Sequence, residues 1–133
     1  MPVTHEVNHE RRRTTTTAIG PITMADIREH LSAEGRDRGL GYPEVIDATR
    51  ATAVFGAQDV RTTVEILREL GREGALGPTA IVVGDEVSYG MFRMLEALVE
   101  DVCDVRPFRS HQEAENWLAH TPIRKPAMPP VER

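Results

Sequence analysis

Apolar positions along the chain recur with two different periods, one typical of strands and the other of helices. The clearest strand signal is the unbroken apolar run ending at Val83, since a strand that is covered on both faces needs no polar side. The clearest helical signal lies within Ala57–Leu70, where valines and leucines return every three or four residues. The full pattern predicts five strands and four helices in the order ββαβαβαβα. Strands that alternate with helices imply parallel pairing, to which an initial hairpin adds one antiparallel strand.

The predicted elements lie within residues 1–120. Thr4–Asn8 and Thr14–Ile19 form the hairpin, which turns near Glu10–Arg12, and Gly20-Pro21 is expected to end its second strand. The first helix runs from its N-cap Thr23 to about Gly35, with Met24, Ile27 and Leu31 on its apolar face. Two further helices are predicted over Ala57–Leu70, with Gly71 as C-cap, and over Val87–Val99, and Ser110 caps the last helix. The strands between these helices are Glu44–Ala48, Thr79–Val83 and Asp104–Phe108. Four prolines in 121–133 predict a loose tail beyond a single domain.

Composition narrows the class of protein. The 133 residues are 40% apolar and 28% charged, as in one ordinary globular domain. The net charge of -5 argues against nucleic acid and anionic membranes as partners, because both require a basic surface. The apolar run Ala80–Gly84 is far shorter than the roughly 20 residues that span a bilayer. The polar N-terminus and the single cysteine, Cys103, which is expected to be buried, fit a cytoplasmic protein.

Catalytic and cofactor motifs are absent from the sequence. The only lysine, Lys125, lies in the predicted tail, which argues against a Schiff base or a phosphate-loop lysine in the folded domain. We find neither the zinc motifs nor the serine-nucleophile motif that accompany common hydrolases. Asp47 and Asp85 at neighbouring strand ends suggest a magnesium site of the kind found in phospho-acceptor receiver domains, but those sites also need a second acidic residue and a lysine, and the lysine is missing. The sequence therefore predicts no enzyme activity, no metal and no cofactor.

A ligand site is expected beyond the carboxyl ends of the parallel strands, where open α/β sheets bind their ligands. The candidate binding residues there are Asp47, Arg50, Asp85, Tyr89 and Arg93. Each also has a purely structural explanation. Asp85 is well placed as a helix N-cap, Asp47 as the ion-pair partner of Arg50 or Arg93, Tyr89 as a core residue, and Arg93 as a side chain that extends along the helix surface.

Four segments carry a resemblance to a known family: Val45–Asp47, Gly77–Val83, Tyr89–Glu96 and Phe108–Leu118. Together they make the chain from Thr4 to Leu118 resemble the STAS-like proteins, small bacterial domains related to the sporulation stage II anti-sigma-factor antagonist. The resemblance implies a single mixed sheet with helices mainly on one face and a role in regulation by protein contact or in binding of small molecules or lipids. The antagonists are phosphorylated on a serine of an Asp-Ser-Ser-Gly motif. The corresponding segment here is Phe55–Asp59, which has no serine and argues against that switch.

Two functional hypotheses follow. The first is a non-enzymatic regulatory or protein-interaction module, for which a homodimer paired through an exposed strand Thr14–Thr17 is one arrangement. The second is a domain that binds a small apolar or anionic ligand at the strand ends. In that case Arg93 would hold the ligand and Met91 and Met94 would line the site.

Overall fold

In a computed structural model, the structure of residues 2–124 is described. The elements are β1 (Val3–Asn8), β2 (Arg13–Ile22), α1 (Met24–Arg36), β3 (Glu44–Ala53), α2 (Ala57–Glu73), β4 (Thr79–Val83), α3 (Glu86–Val99), β5 (Val105–Phe108) and α4 (His111–His120). The predicted element order is therefore confirmed. The five strands form one sheet in sequential order, with β1 antiparallel to β2 and all other neighbours parallel.

Two layers of helices cover the sheet unequally, as the STAS-like resemblance implies. Helices α1, α2 and α3 pack on one face and build the larger core, whereas α4 covers the other face. The side chains of β4 divide between them: Ile81 and Val83 point to the larger core, and Ala80 and Val82 contact α4. This division explains why β4 is apolar at successive positions.

Strands β2 and β3 are longer than the sequence pattern predicts. The prediction that Gly20-Pro21 ends β2 is wrong, because the parallel ladder continues beyond it and pairs Pro21 with Thr52. The register shifts between Thr17 and Ile19, and Gly20 has a φ of 78°, in the left-handed region that favours glycine. Strand β2 therefore continues through Gly20-Pro21 with a local irregularity in its pairing and does not end there.

The prediction of an exposed pairing edge at Thr14–Thr17 is also wrong. Strand β2 lies between β1 and β3, and Thr14 and Thr16 are 0% and 1% exposed. Thr14 and Thr16 point to the core instead of solvent, and among the described residues the edge strands of the sheet are β1 and β5. Helix α2 likewise continues through the predicted C-cap Gly71 to Glu73, and Gly74 is its C-cap. No helix in the described part of the chain combines the length and the apolar character needed to cross a membrane.

Candidate functional site

A cavity of about 140 Å³ lies between the sheet and the three helices of the larger core. Most of its walls are aliphatic or aromatic side chains from both layers, among them Ala18, Ile22, Ile27, Ala48, Phe55, Val60, Leu67, Phe92 and Leu95. Native cores contain few voids larger than a water molecule, so an apolar space of this size is a feature that requires an explanation.

Four polar side chains that line the cavity also contact one another: Thr16, His30, Glu34 and Glu44. We call these four residues the His30 cluster. Its ionisable members are almost completely withdrawn from solvent, with side-chain exposures of 9% for His30, 2% for Glu34 and 6% for Glu44. Charged groups are rarely buried to this extent without partners, so the cluster is the most unusual polar feature of the core.

The local sequence explains how these side chains reach the core. Helix α1 begins at a reciprocal capping box between Thr23 and Asp26. That start places His30 and Glu34 one turn apart on the helix face that packs inward with Ile27 and Leu31. Glu44 is the first residue of β3, and strand alternation puts its side chain on the same sheet face as Ile46, which packs against the larger core.

The contacts within the cluster are short. His30 Nε2 lies 3.2 Å from Glu44 Oε2 in a hydrogen bond and 2.5 Å from Glu34 Oε1. The second contact brings opposite charges together but is not aligned as a hydrogen bond, since Glu34 Oε1 has no hydrogen-bond partner. The Thr16 hydroxyl donates to Glu44 Oε2 at 2.5 Å. On its other side, the His30 ring meets the ring of His5 edge-on at 5.5 Å, and His30 Nδ1 has no partner within residues 2–124.

Burial and charge shift the pKa values of two members. Burial acts against the charge on His30, but the 2.5 Å contact with Glu34, the hydrogen bond with Glu44 and the negative charges of both carboxylates outweigh it and raise the His30 pKa to about 10. Burial and the neighbouring carboxylate of Glu44 raise the pKa of Glu34 to about 7, against the opposing effect of His30. Without a ligand, the cluster thus holds an imidazolium between two carboxyl groups, one of which resists ionisation.

The residues predicted from the sequence lie elsewhere, and none of the five lines the cavity. Asp47 accepts hydrogen bonds from the backbone N–H and hydroxyl of Thr49, which lower its pKa, and its Oδ2 lies 3.4 Å from His111 Nε2. The nearby positive charge of Arg50 also favours the ionised carboxylate. Asp47 forms no ion pair with Arg50 or Arg93 in the described residues, so the predicted pairing with an arginine is wrong: its charged partner is His111.

The three remaining residues belong to the start of α3: Tyr89 is half-buried against the larger core, as its structural alternative expected, whereas Asp85 and Arg93 are exposed. Asp85 is the N-cap of the helix and accepts from the backbone N–H and hydroxyl of Ser88. The guanidinium of Arg109 stacks over the ring of Tyr89, with its Cζ atom 3.8 Å from the ring centre. Arg93 forms an ion pair with Glu96 at 3.2 Å. The capping role predicted for Asp85 is confirmed, whereas ligand binding by any of the five stays a prediction.

The pattern analysis did not identify the His30 cluster, although part of its signal is in the sequence. Ile27, His30, Leu31 and Glu34 follow the i, i+3, i+4, i+7 spacing of a buried helix face, so two ionisable residues occupy inward positions. The contribution of Glu44 is not visible in this way, since a carboxylate at the start of a strand is ordinarily exposed to solvent.

Comparison with known proteins identifies the fold. No protein-family model matches this sequence, and no curated protein matches it. Among solved structures, it is similar to an uncharacterised protein of the DUF3478 family from Shewanella loihica PV-4, described as having a SpoIIAA-like fold. The two chains share 14% sequence identity and superpose with a TM-score of 0.57 over 87% of this chain and 93% of the other. The chain has a SpoIIAA-like, that is STAS-like, fold, which confirms at the level of architecture the resemblance found in the sequence.

Proposed function

We propose that this protein binds a small, largely apolar molecule within its core and acts as a non-enzymatic sensor or carrier of that molecule. The observation that carries the proposal is the cavity of about 140 Å³ between the sheet and helices α1–α3. An engineered apolar cavity of about 150 Å³ in another protein remains dry and binds benzene, so this volume is sufficient for a ring of about six non-hydrogen atoms.

Packing supports a ligand for this space. Side chains that face an unfilled apolar space have no dispersion partners on that side, so the walls of this cavity lack contacts that a close-packed core would provide. A bound molecule would recover dispersion contacts with Phe55, Phe92 and their aliphatic neighbours. The buried polar groups of the His30 cluster would then interact with any polar atom that the molecule carries.

The experiment is a benzene titration of the 15N-labelled protein, followed by amide chemical shifts. We expect saturable shifts in β3 and α2, whose residues line the cavity. Ala48→Ile adds three carbons at a cavity-lining position and should abolish these shifts while it maintains or raises stability. Ala97→Val, at an exposed position of α3, is the control and should bind as the unmodified chain does.

Two results would contradict the proposal: no saturable shift in the unmodified protein, or equal binding by the Ala48→Ile variant. Native mass spectrometry of gently purified protein adds an independent measurement, since a retained adduct would give the mass of the molecule. Arg93→Ala, measured alongside, distinguishes this cavity from the strand-end site predicted from the sequence. Loss of the adduct in that variant would favour the strand-end site.

A second candidate function is a protein-interaction module, for which we propose a second copy of this chain as the partner. Two exposed valines favour it: Val54, which follows β3 and is 56% exposed, and Val87, in the first turn of α3 and 73% exposed. Sedimentation at tens of micromolar tests the idea. A dimer that Val54→Ser and Val87→Ser together dissociate would support it, whereas a monomer in the unmodified chain would exclude this arrangement.

A further inference from the structure

Three donor atoms of the His30 cluster converge on one point. One nitrogen of His30 and one carboxylate oxygen each from Glu34 and Glu44 all lie within 4.8 Å of one another. Ligands that share a metal ion at bond lengths of about 2.0–2.2 Å lie roughly 3–3.5 Å apart, so small side-chain movements suffice to place all three on one ion. Within residues 2–124, no other group of histidine, cysteine and acidic residues has this convergence.

A second feature is the unsatisfied oxygen of Glu34. Its side chain is 2% exposed, yet Oε1 has no hydrogen-bond partner and points into the cluster, where it contacts His30 Nε2 off the direction of a hydrogen bond. Buried polar atoms in native proteins are nearly always satisfied. A buried carboxylate oxygen that has no hydrogen-bond partner and lies 2.5 Å from the nitrogen of another potential ligand fits a site for a cation.

We propose that His30, Glu34 and Glu44 bind a divalent first-row transition metal ion at the edge of the core cavity. The donor set decides the class of ion. An imidazole nitrogen suits zinc, iron and similar metals, whereas Mg²⁺ and Ca²⁺ prefer oxygen ligands alone. Binding of the ion displaces the imidazolium proton of His30 to solvent, as metal binding to histidine generally does. Two carboxylates together with the resulting neutral imidazole balance the charge of a divalent ion, which makes burial of the whole group less costly than burial of its separate charges.

The surroundings of the three ligands fit this assignment. The Thr16 hydroxyl donates to Glu44 Oε2 at 2.5 Å and so orients that carboxylate, as groups around metal ligands commonly do. Three protein ligands leave a fourth position free on a tetrahedral ion. Because all three residues line the cavity, that position adjoins the space proposed for an apolar molecule. The metal proposal nevertheless does not depend on the molecule, since it is tested with the ion alone.

The test is calorimetric titration of Zn²⁺ into the full chain after treatment with EDTA and its removal. We expect one equivalent to bind, and Co²⁺ to give the visible absorption of a protein-bound ion at the same stoichiometry. Glu34→Gln and Glu44→Gln should each abolish this binding, because the amide is a far poorer ligand than the carboxylate. Asp47→Asn is the matched control: it removes the carboxylate of an exposed pair with His111 and should leave binding unchanged.

Thr16→Val keeps all three ligands and should weaken binding about 10–100-fold, a loss expected when support of a metal ligand is removed. This variant protects the test against the possibility that a glutamine variant fails to fold. The proposal is overturned if the unmodified chain binds neither Zn²⁺ nor Co²⁺ stoichiometrically. It is equally overturned if folded Glu34→Gln and Glu44→Gln variants bind as tightly as the unmodified chain.

Discussion

The hydroxyl of Thr16 donates a 2.5 Å hydrogen bond to the carboxylate of Glu44, and this pair joins β2 to the buried start of β3. Both residues are inaccessible to solvent, at 1% and 5% exposure. Water therefore cannot replace the hydroxyl if it is removed. The bond should contribute far more than its equivalent on the surface, because hydrogen bonds to buried charged groups are among the most costly to break.

Thr16→Val should accordingly lower the free energy of unfolding by about 2 kcal/mol, since it leaves a buried carboxylate short of one donor. Thr14→Val is the matched control. Thr14 is also fully buried on β2, but its hydroxyl donates a longer bond of 3.3 Å to the carbonyl of Gly39. Its loss should cost less than about 1 kcal/mol. Urea unfolding measures both, and equal losses for the two variants would contradict the importance given to Glu44.

Gly84 ends β4 at a point where two backbone segments approach closely. A Cβ atom at this position would overlap the carbonyl oxygen of Thr49, which is part of β3 and unable to move aside. We expect Gly84→Ala to destabilise the protein by about 1–3 kcal/mol, as overpacking usually does. Gly90→Ala is the control, because open space surrounds that position on α3 and alanine is the better helix former. It should raise the free energy of unfolding by up to about 1 kcal/mol, so a parallel loss in both variants would refute the steric explanation.

Local signals in the sequence were sufficient for most of the fold. The N-caps Thr23, Asp85 and Ser110 were all predicted and are confirmed, because a cap depends only on the next three residues. The errors in the strands arose where pairing across the sheet decides the outcome. The continuation of β2 through Pro21 depends on Thr52, a residue 31 positions away, and no local pattern contains that information.

The candidate site was less predictable for the same reason. The positions of His30 and Glu34 on the inner face of α1 can be derived from helical spacing, but their meaning depends on Glu44 and Thr16, which lie on two different strands. The cavity itself is a property of how three helices rest on the sheet. By contrast, Asp47 and Asp85 lie at the strand ends, where general rules for α/β proteins direct attention.

The thiol of Cys103 is expected to be unreactive in the native protein. It is 3% exposed, and burial raises its pKa from an ordinary 9.0 to about 11, assisted by the negative charges of Asp104 and Asp101 and opposed by Arg124. Alkylation by iodoacetamide should therefore be slow at pH 8 and become fast in urea, as followed by intact mass. A native rate equal to the unfolded rate at pH 8 would contradict this.

The same shift has a consequence for stability. The folded state holds the thiol proton more tightly than the unfolded state does. The contribution of this group to the free energy of unfolding is therefore constant below about pH 9 and decreases as the pH rises toward 11. Cys103→Ala removes the titrating group and should reduce the decline in unfolding free energy over this range. Urea unfolding at several pH values measures the difference, and identical profiles for the two proteins would show that the thiol is not responsible.

The two interpretations of Asp85 give different results on substitution. As an N-cap that accepts hydrogen bonds from Ser88, it should lose about 1 kcal/mol of stability in Asp85→Ala and little in Asp85→Asn, since asparagine caps helices as well as aspartate. Arg93→Ala on the same helix is the comparison: its exposed ion pair with Glu96 should contribute no more than about 0.5 kcal/mol.

Urea unfolding provides these values, and benzene binding is measured on the same samples. If Asp85→Ala, Asp85→Asn and Arg93→Ala all bind benzene normally while Ala48→Ile does not, benzene binds in the core cavity and not at the strand ends. Weakened binding in Asp85→Asn without loss of stability would instead show that the carboxylate at the strand end takes part in ligand recognition.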